Sequence, residues 1–102
     1  TLNLNTASGV EITINPTTLQ NINDNSANLL VAAQSAYAAA TAANTSALAA
    51  GDVFSFQYTS AGATNTYVFV EGATGAGTFD NADSIIQLTG VASVAAADIV
   101  VA

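Results

Sequence analysis

The chain has no lysine, arginine or histidine, and no cysteine. Each absence excludes something. Without basic side chains it cannot neutralise phosphates, so nucleic acid is a poor partner. An anionic membrane surface is disfavoured for the same reason. Without a His or Lys base, or a Cys nucleophile, most nucleophilic schemes fail on inventory. Without cysteine there are no disulfides and no thiolate metal sites. The glycines of GATGAG (72–77) come without the lysine that a phosphate-binding loop needs. Two carboxylates could run glycoside hydrolysis, but no Arg or His is present to hold a sugar. The expectation is a protein that is not an enzyme.

Charge of either sign is scarce. Charged residues make up 7% of the 102 residues, all seven are acidic, and the net charge is −7. An ordinary soluble domain carries about 25%. No side-chain salt bridge can form within the chain. Each carboxylate must be solvated, capped by backbone N–H groups, or met by a cation from solution. Apolar residues make up 51%, too many for a disordered chain. The polar surface must therefore be built from Thr, Asn, Ser and Gln. The Ala-rich stretch 27–50 is long enough to span a bilayer, but Asn28, Gln34, Ser35, Asn44 and Ser46 interrupt it, so no membrane insertion is expected. No secretory signal is visible, and the start at Thr1 suggests a processed product or fragment.

The length fits one domain, 1–102. Leu2 and Leu4 alternate with Asn3 and Asn5, the period of a half-buried strand. After a TASG turn, Val10, Ile12 and Ile14 share one face of a second strand, so 1–15 could form a hairpin closed by Asn15-Pro16. TTLQNINDNS (17–26) reads as a polar connector, with Asp24 or Ser26 as the cap of the next element. Residues 27–50 form the clearest helix, rich in alanine and free of Gly and Pro until Gly51. Its expected buried stripe is Leu30, Ala33, Tyr37, Ala40, Ala43 and Ala47. DVFSFQYT (52–59) and TYVFVEG (66–72) form a hairpin around the loop 60–65. A Gly-rich loop (73–83) and a strand (84–90) follow, then a terminal strand or tail, 98–102. The fold class expected is α+β, one Ala-rich helix packed on a small antiparallel sheet of about five short strands. Phe54, Phe56, Phe69 and Phe79 belong to the core, with Tyr37 at its edge.

The stretch GTFDNADSIIQLTG (77–90) holds the most distinctive chemistry. Asp80, Asn81 and Asp83 lie close together, and Glu71 enters the same loop from the preceding strand. Oxygen-rich loops of this kind suit a hard cation such as calcium. The spacing is neither an EF-hand nor a glycine-aspartate nonapeptide. The plainer reading is an Asx turn at Asp80-Asn81 with Asp83 solvated. Asn44-Thr45-Ser46 matches a glycosylation sequon, as triplets often do by chance.

The segment 56–91 resembles the C-terminal part of bacterial RTX-type (repeat-in-toxin) and S-layer-like secreted proteins. The shared features are the Ala-rich stretch Ala32–Ala50, Phe56–Tyr58, Asn65–Val70, Gly77–Asp83 and Ile86–Gly90. The ending Asp98-Ile99-Val100-Val101 resembles a type I secretion signal, with Ala102 as a small departure. The resemblance implies export by a type I secretion apparatus, frequent calcium dependence and an extracellular, cell-surface location.

Two functional expectations follow. One is a non-catalytic structural protein that self-assembles into a homo-oligomer or polymer: a filament, surface layer or biofilm matrix. Uncharged faces without lysine suit close packing, and Leu2, Leu4, Ile99 and Val101 are the candidate assembly edges. The other is a folded C-terminal export domain of a larger calcium-binding secreted protein.

Overall fold

The computed structural model describes residues 9–72, 77–79 and 83–88, together with the backbone of residues 2–3 and 99–100. The architecture is α+β. Strand β1 (Leu2–Asn3) is followed by helices α1 (Pro16–Asn25) and α2 (Leu29–Asn44). Strands β2 (Val53–Ser60), β3 (Ala63–Val70), β4 (Ser84–Leu88) and β5 (Ile99–Val100) complete the order.

The expectation of one helix and a five-stranded antiparallel sheet is corrected in both halves. The antiparallel sheet has three strands, in the order β2-β3-β4. β1 and β5 form a separate parallel pair, with Leu2 opposite Ile99. β1 is therefore not the partner of residues 9–14 in a hairpin. That second segment instead lies beside β2: Glu11 bridges Val53 in parallel, and the Ile12 N–H donates to the Val53 carbonyl at 2.8 Å. Ile12 and Ile14 are buried as the alternation demands, whereas Val10 is exposed.

The polar connector 17–26 is helical. Asn15-Pro16 starts α1 instead of merely ending a strand. The Asn15 side chain accepts the Thr17 N–H, and proline occupies the first turn, where its missing N–H costs nothing. Asp24 lies inside α1 and accepts from the Gln20 amide at 2.8 Å. Ser26 closes α1, its hydroxyl donating to the Ile22 carbonyl at 2.6 Å. The cap of α2 is instead Asn28, whose Oδ1 accepts the Val31 N–H at 3.0 Å.

α2 ends before Gly51. Thr45 adopts a left-handed conformation (φ 60°), and its N–H returns to the Ala42 carbonyl. Asn44, Thr45 and Ser46 compete for backbone groups with their own side chains, which weakens the helix there: Thr45 Oγ1 donates to the Asn44 carbonyl at 2.6 Å. The buried stripe is Ala32, Ala33, Ala36, Tyr37 and Ala40. Leu30, expected inside, is 57% exposed, and Ala43 and Ala47 are exposed too. Leu29 packs on the core in place of Leu30.

β2 and β3 are joined by a two-residue turn, with Ala61 and Gly62 at φ 53° and 80°. Positive φ at both positions is what a type I′ hairpin requires. The register pairs Phe54 with Phe69 and Phe56 with Tyr67 across β2–β3, and Phe69 with Ile85 across β3–β4. One face of the sheet thus carries an aromatic row that packs on Ala32, Ala33, Ala36, Tyr37 and Ala40. The small alanines let α2 sit close to those rings. Phe54 and Phe69 stack at 4.8 Å between centroids, and Tyr37 meets Phe54, Phe69 and Phe79 edge-on. Each such pair adds about 0.5–1.5 kcal/mol beyond burial. The opposite face carries Val53, Val68, Val70, Ile86 and Leu88.

Candidate functional site

The sheet register aligns three acids at one level. One step beyond the pair Val53–Val70, the Glu71 N–H donates to the Asp52 carbonyl at 2.9 Å. One step beyond the pair Val70–Ser84, Glu71 and Asp83 stand opposite each other. Their carboxyl groups come within hydrogen-bonding reach. Asp52 and Glu71 are 4% and 1% exposed, and Asp83 is half-buried.

Asp52 is met by backbone donors. Its Oδ1 accepts the Val10 N–H at 3.0 Å and its Oδ2 accepts the Ala49 N–H at 2.8 Å. It ties the α2–β2 connection to the segment preceding Ile12. The same junction brings Gly9 against Gly51. A Cβ on Gly9 would fall 1.8 Å from the Gly51 carbonyl oxygen, so no other residue fits there without moving the backbone.

Glu71 is met unevenly. Its Oε2 accepts the Tyr37 hydroxyl at 2.7 Å and also the Gly77 N–H. Gly77 aims that N–H from a left-handed conformation, φ 88°, which glycine adopts freely. Oε1 is buried with no hydrogen-bond partner. Burial raises the Glu71 carboxyl above its ordinary range. The Tyr37 hydroxyl and the Gly77 N–H pull it down, and the facing Asp83 carboxyl pushes it up again. Asp83 is oriented by the Gly72 N–H, which donates to its Oδ1 at 2.8 Å.

Of the four oxygen ligands expected from the sequence, the fold brings Glu71 and Asp83 together, while Asp80 and Asn81 lie outside the described residues. Among the described residues, no group of three or more acids is placed to hold a metal ion together. Asp83 is held by a backbone N–H and is not simply solvated. Of the candidate edge residues, Leu2 pairs with Ile99 within the chain, and Leu4 and Val101 lie outside the described set. In the secretion-signal-like ending, Ile99 and Val100 form β5, and Asp98 and Val101 lie outside the described residues.

Sequence reasoning missed Asp52 and the role of Tyr37. Asp52 carries a weak signal, a lone acid between Gly51 and an apolar strand. Tyr37 carries none, because only packing places a helix residue against the end of β3.

Among the described residues, no helix is long and apolar enough to cross a membrane. Comparison of the chain with protein-family models, with curated proteins and with solved structures finds no match.

Proposed function

We propose that this chain is a non-catalytic structural unit of an extracellular assembly at a bacterial cell surface, such as a filament, surface layer or biofilm matrix. Copies join through a sheet edge, and the edge that best supports this reading is β4. Among the described residues β4 pairs only with β3, and Ile85 on it is 42% exposed. The opposite edge of the sheet is guarded. Glu11 bridges β2 at Val53. Near the hairpin tip, Asn23 accepts the Thr59 N–H at 2.7 Å and donates to the Thr59 hydroxyl at 3.0 Å.

Natural proteins commonly blunt open edges with lysine, proline or covering elements. This chain has no lysine at all, and its single proline is Pro16, at the start of α1. A strand from a second copy could extend the ladder at β4 and bury Ile85. The chemical inventory supports packing over catalysis, since no basic side chain or thiol exists to activate a nucleophile.

The test is negative-stain imaging and light scattering of the purified chain, with calcium and then with excess chelator. Ordered polymers are expected. Ile85→Lys places a charge on the edge and should abolish them while the monomer keeps its fold by circular dichroism. A wild-type chain that stays monomeric in both conditions overturns this reading. That result would favour a folded export domain of a larger calcium-binding secreted protein.

A further inference from the structure

We propose that the Glu71–Asp83 pair, at the paired ends of β3 and β4, binds one hard divalent cation of the calcium class, with Glu71 Oε1 as the buried ligand. The site stands whether or not copies assemble, so the two proposals fail separately.

The argument begins with an orphan atom. Glu71 is 1% exposed, and its Oε1 has no hydrogen-bond donor. Leaving a buried acceptor bare costs about 1–3 kcal/mol, and more when it carries charge. The other oxygen is well supplied, by the Tyr37 hydroxyl and the Gly77 N–H. Those two donors favour the charged carboxylate, so the group is built as an anion on one side and left unsatisfied on the other.

The second observation is what stands opposite. Asp83 lies within hydrogen-bonding reach of Glu71, held in place through its Oδ1 by the Gly72 N–H. Two carboxyl groups this close cannot both stay ionised without a positive charge between them. No side chain can supply one, because Lys, Arg and His are absent. The charge must come from solution.

The donor set decides the class of ion. The site offers carboxylate oxygens, and the chain contains no Cys, His or Met. Soft and borderline metals that prefer sulfur or imidazole are disfavoured. Two carboxylates of unequal burial, completed by water, suit the irregular coordination that calcium accepts and magnesium resists. A shared proton is the rival occupant, and the experiment separates the two.

The metal-stripped chain is melted with increasing calcium, and with magnesium at matched ionic strength. Calcium is expected to raise the midpoint by about 5 °C or more once it is well above its dissociation constant. Magnesium should give much less. Glu71→Gln keeps an acceptor for Tyr37 and Gly77 but removes the charge, and the calcium shift should disappear.

Terbium provides a direct readout. The chain has no tryptophan, so tyrosine must sensitise the emission, and Tyr37 touches the proposed ligand. Glu71→Gln should remove most of that emission together with the calcium shift. If Glu71→Gln does not fold, Asp83→Asn replaces it, since the amide oxygen still accepts the Gly72 N–H. Wild type without a calcium shift overturns the site in favour of a shared proton. An equal rise in wild type and variant, or with magnesium, means general screening of the net charge and overturns it as well.

Discussion

Asp52 and Glu71 are neighbours in one ladder, both buried, in a chain with no basic side chain to pair with either. The fold treats them differently. Asp52 spends both oxygens on backbone N–H groups, one from Val10 and one from Ala49. Glu71 concentrates its donors on one oxygen, leaves the other without one, and stands opposite a second carboxyl group. The first arrangement is a closed joint that holds an irregular connection in place. The second is an open one, with a buried oxygen left without a donor. Burial of an acid alone therefore says little, and the distribution of donors over its two oxygens says what the acid is for.

Breaking the closed joint should have the largest effect. Asp52→Ala strands the Val10 and Ala49 N–H groups and should cost about 3 kcal/mol, read from urea unfolding. Asp52→Asn, which keeps one acceptor oxygen, should cost clearly less. An Asp52→Ala chain as stable as wild type would show that the joint contributes nothing.

The same junction can be broken from its other side. Gly9→Ala drives a methyl into the Gly51 carbonyl and should cost about 2 kcal/mol. Its thermal midpoint should fall well below wild type, while an alanine at the unobstructed Gly62 position would suffer only from its positive φ.

The smallest effect sharpens the contrast. Burial holds the Glu71 carboxyl above its ordinary value of 4.5. The folded state then binds that proton more tightly than the unfolded state. Stability from this group is complete at low pH and is lost as pH rises from about 4.5 through the raised folded value. In chelator, wild type should lose stability across that window, and Glu71→Gln should show a shallower loss. Burial raises Glu11 in the same direction, so some slope should survive in the variant. An identical slope in both proteins would mean that Glu71 is not the group titrating.

Much of the sheet was legible in the sequence. Phe54, Phe56 and Tyr58 alternate with polar residues, so the β2–β3 hairpin followed from local pattern, but its loop, read as 60–65, shrinks to Ala61-Gly62 because the ladder runs on to Ser60–Ala63. α1 was not legible, because TTLQNINDN has few apolar residues and reads as polar linker. What makes it a helix is the Asn15-Pro16 start and the seat that Ile22 finds in the core. The α2 stripe was misplaced by one position at its start. Alanine fits any face of a helix, so composition could not decide between Leu29 and Leu30.

The site divides in the same way. The residues Glu71 and Asp83 were visible as acids flanking a Gly-rich loop, and their facing each other required the β3–β4 register. Tyr37 and Gly77 as donors to one oxygen required packing.

By itself the sequence determined the charge problem. A chain with seven acids and no base must satisfy each carboxylate from its backbone or from solution, and no fold can change that inventory. Only the tertiary structure decided which acid received which answer. Hydrogen bonding is directional, and the positions of Val10, Ala49, Tyr37 and Gly77 around two buried carboxyl groups are set by contacts between residues far apart in the chain.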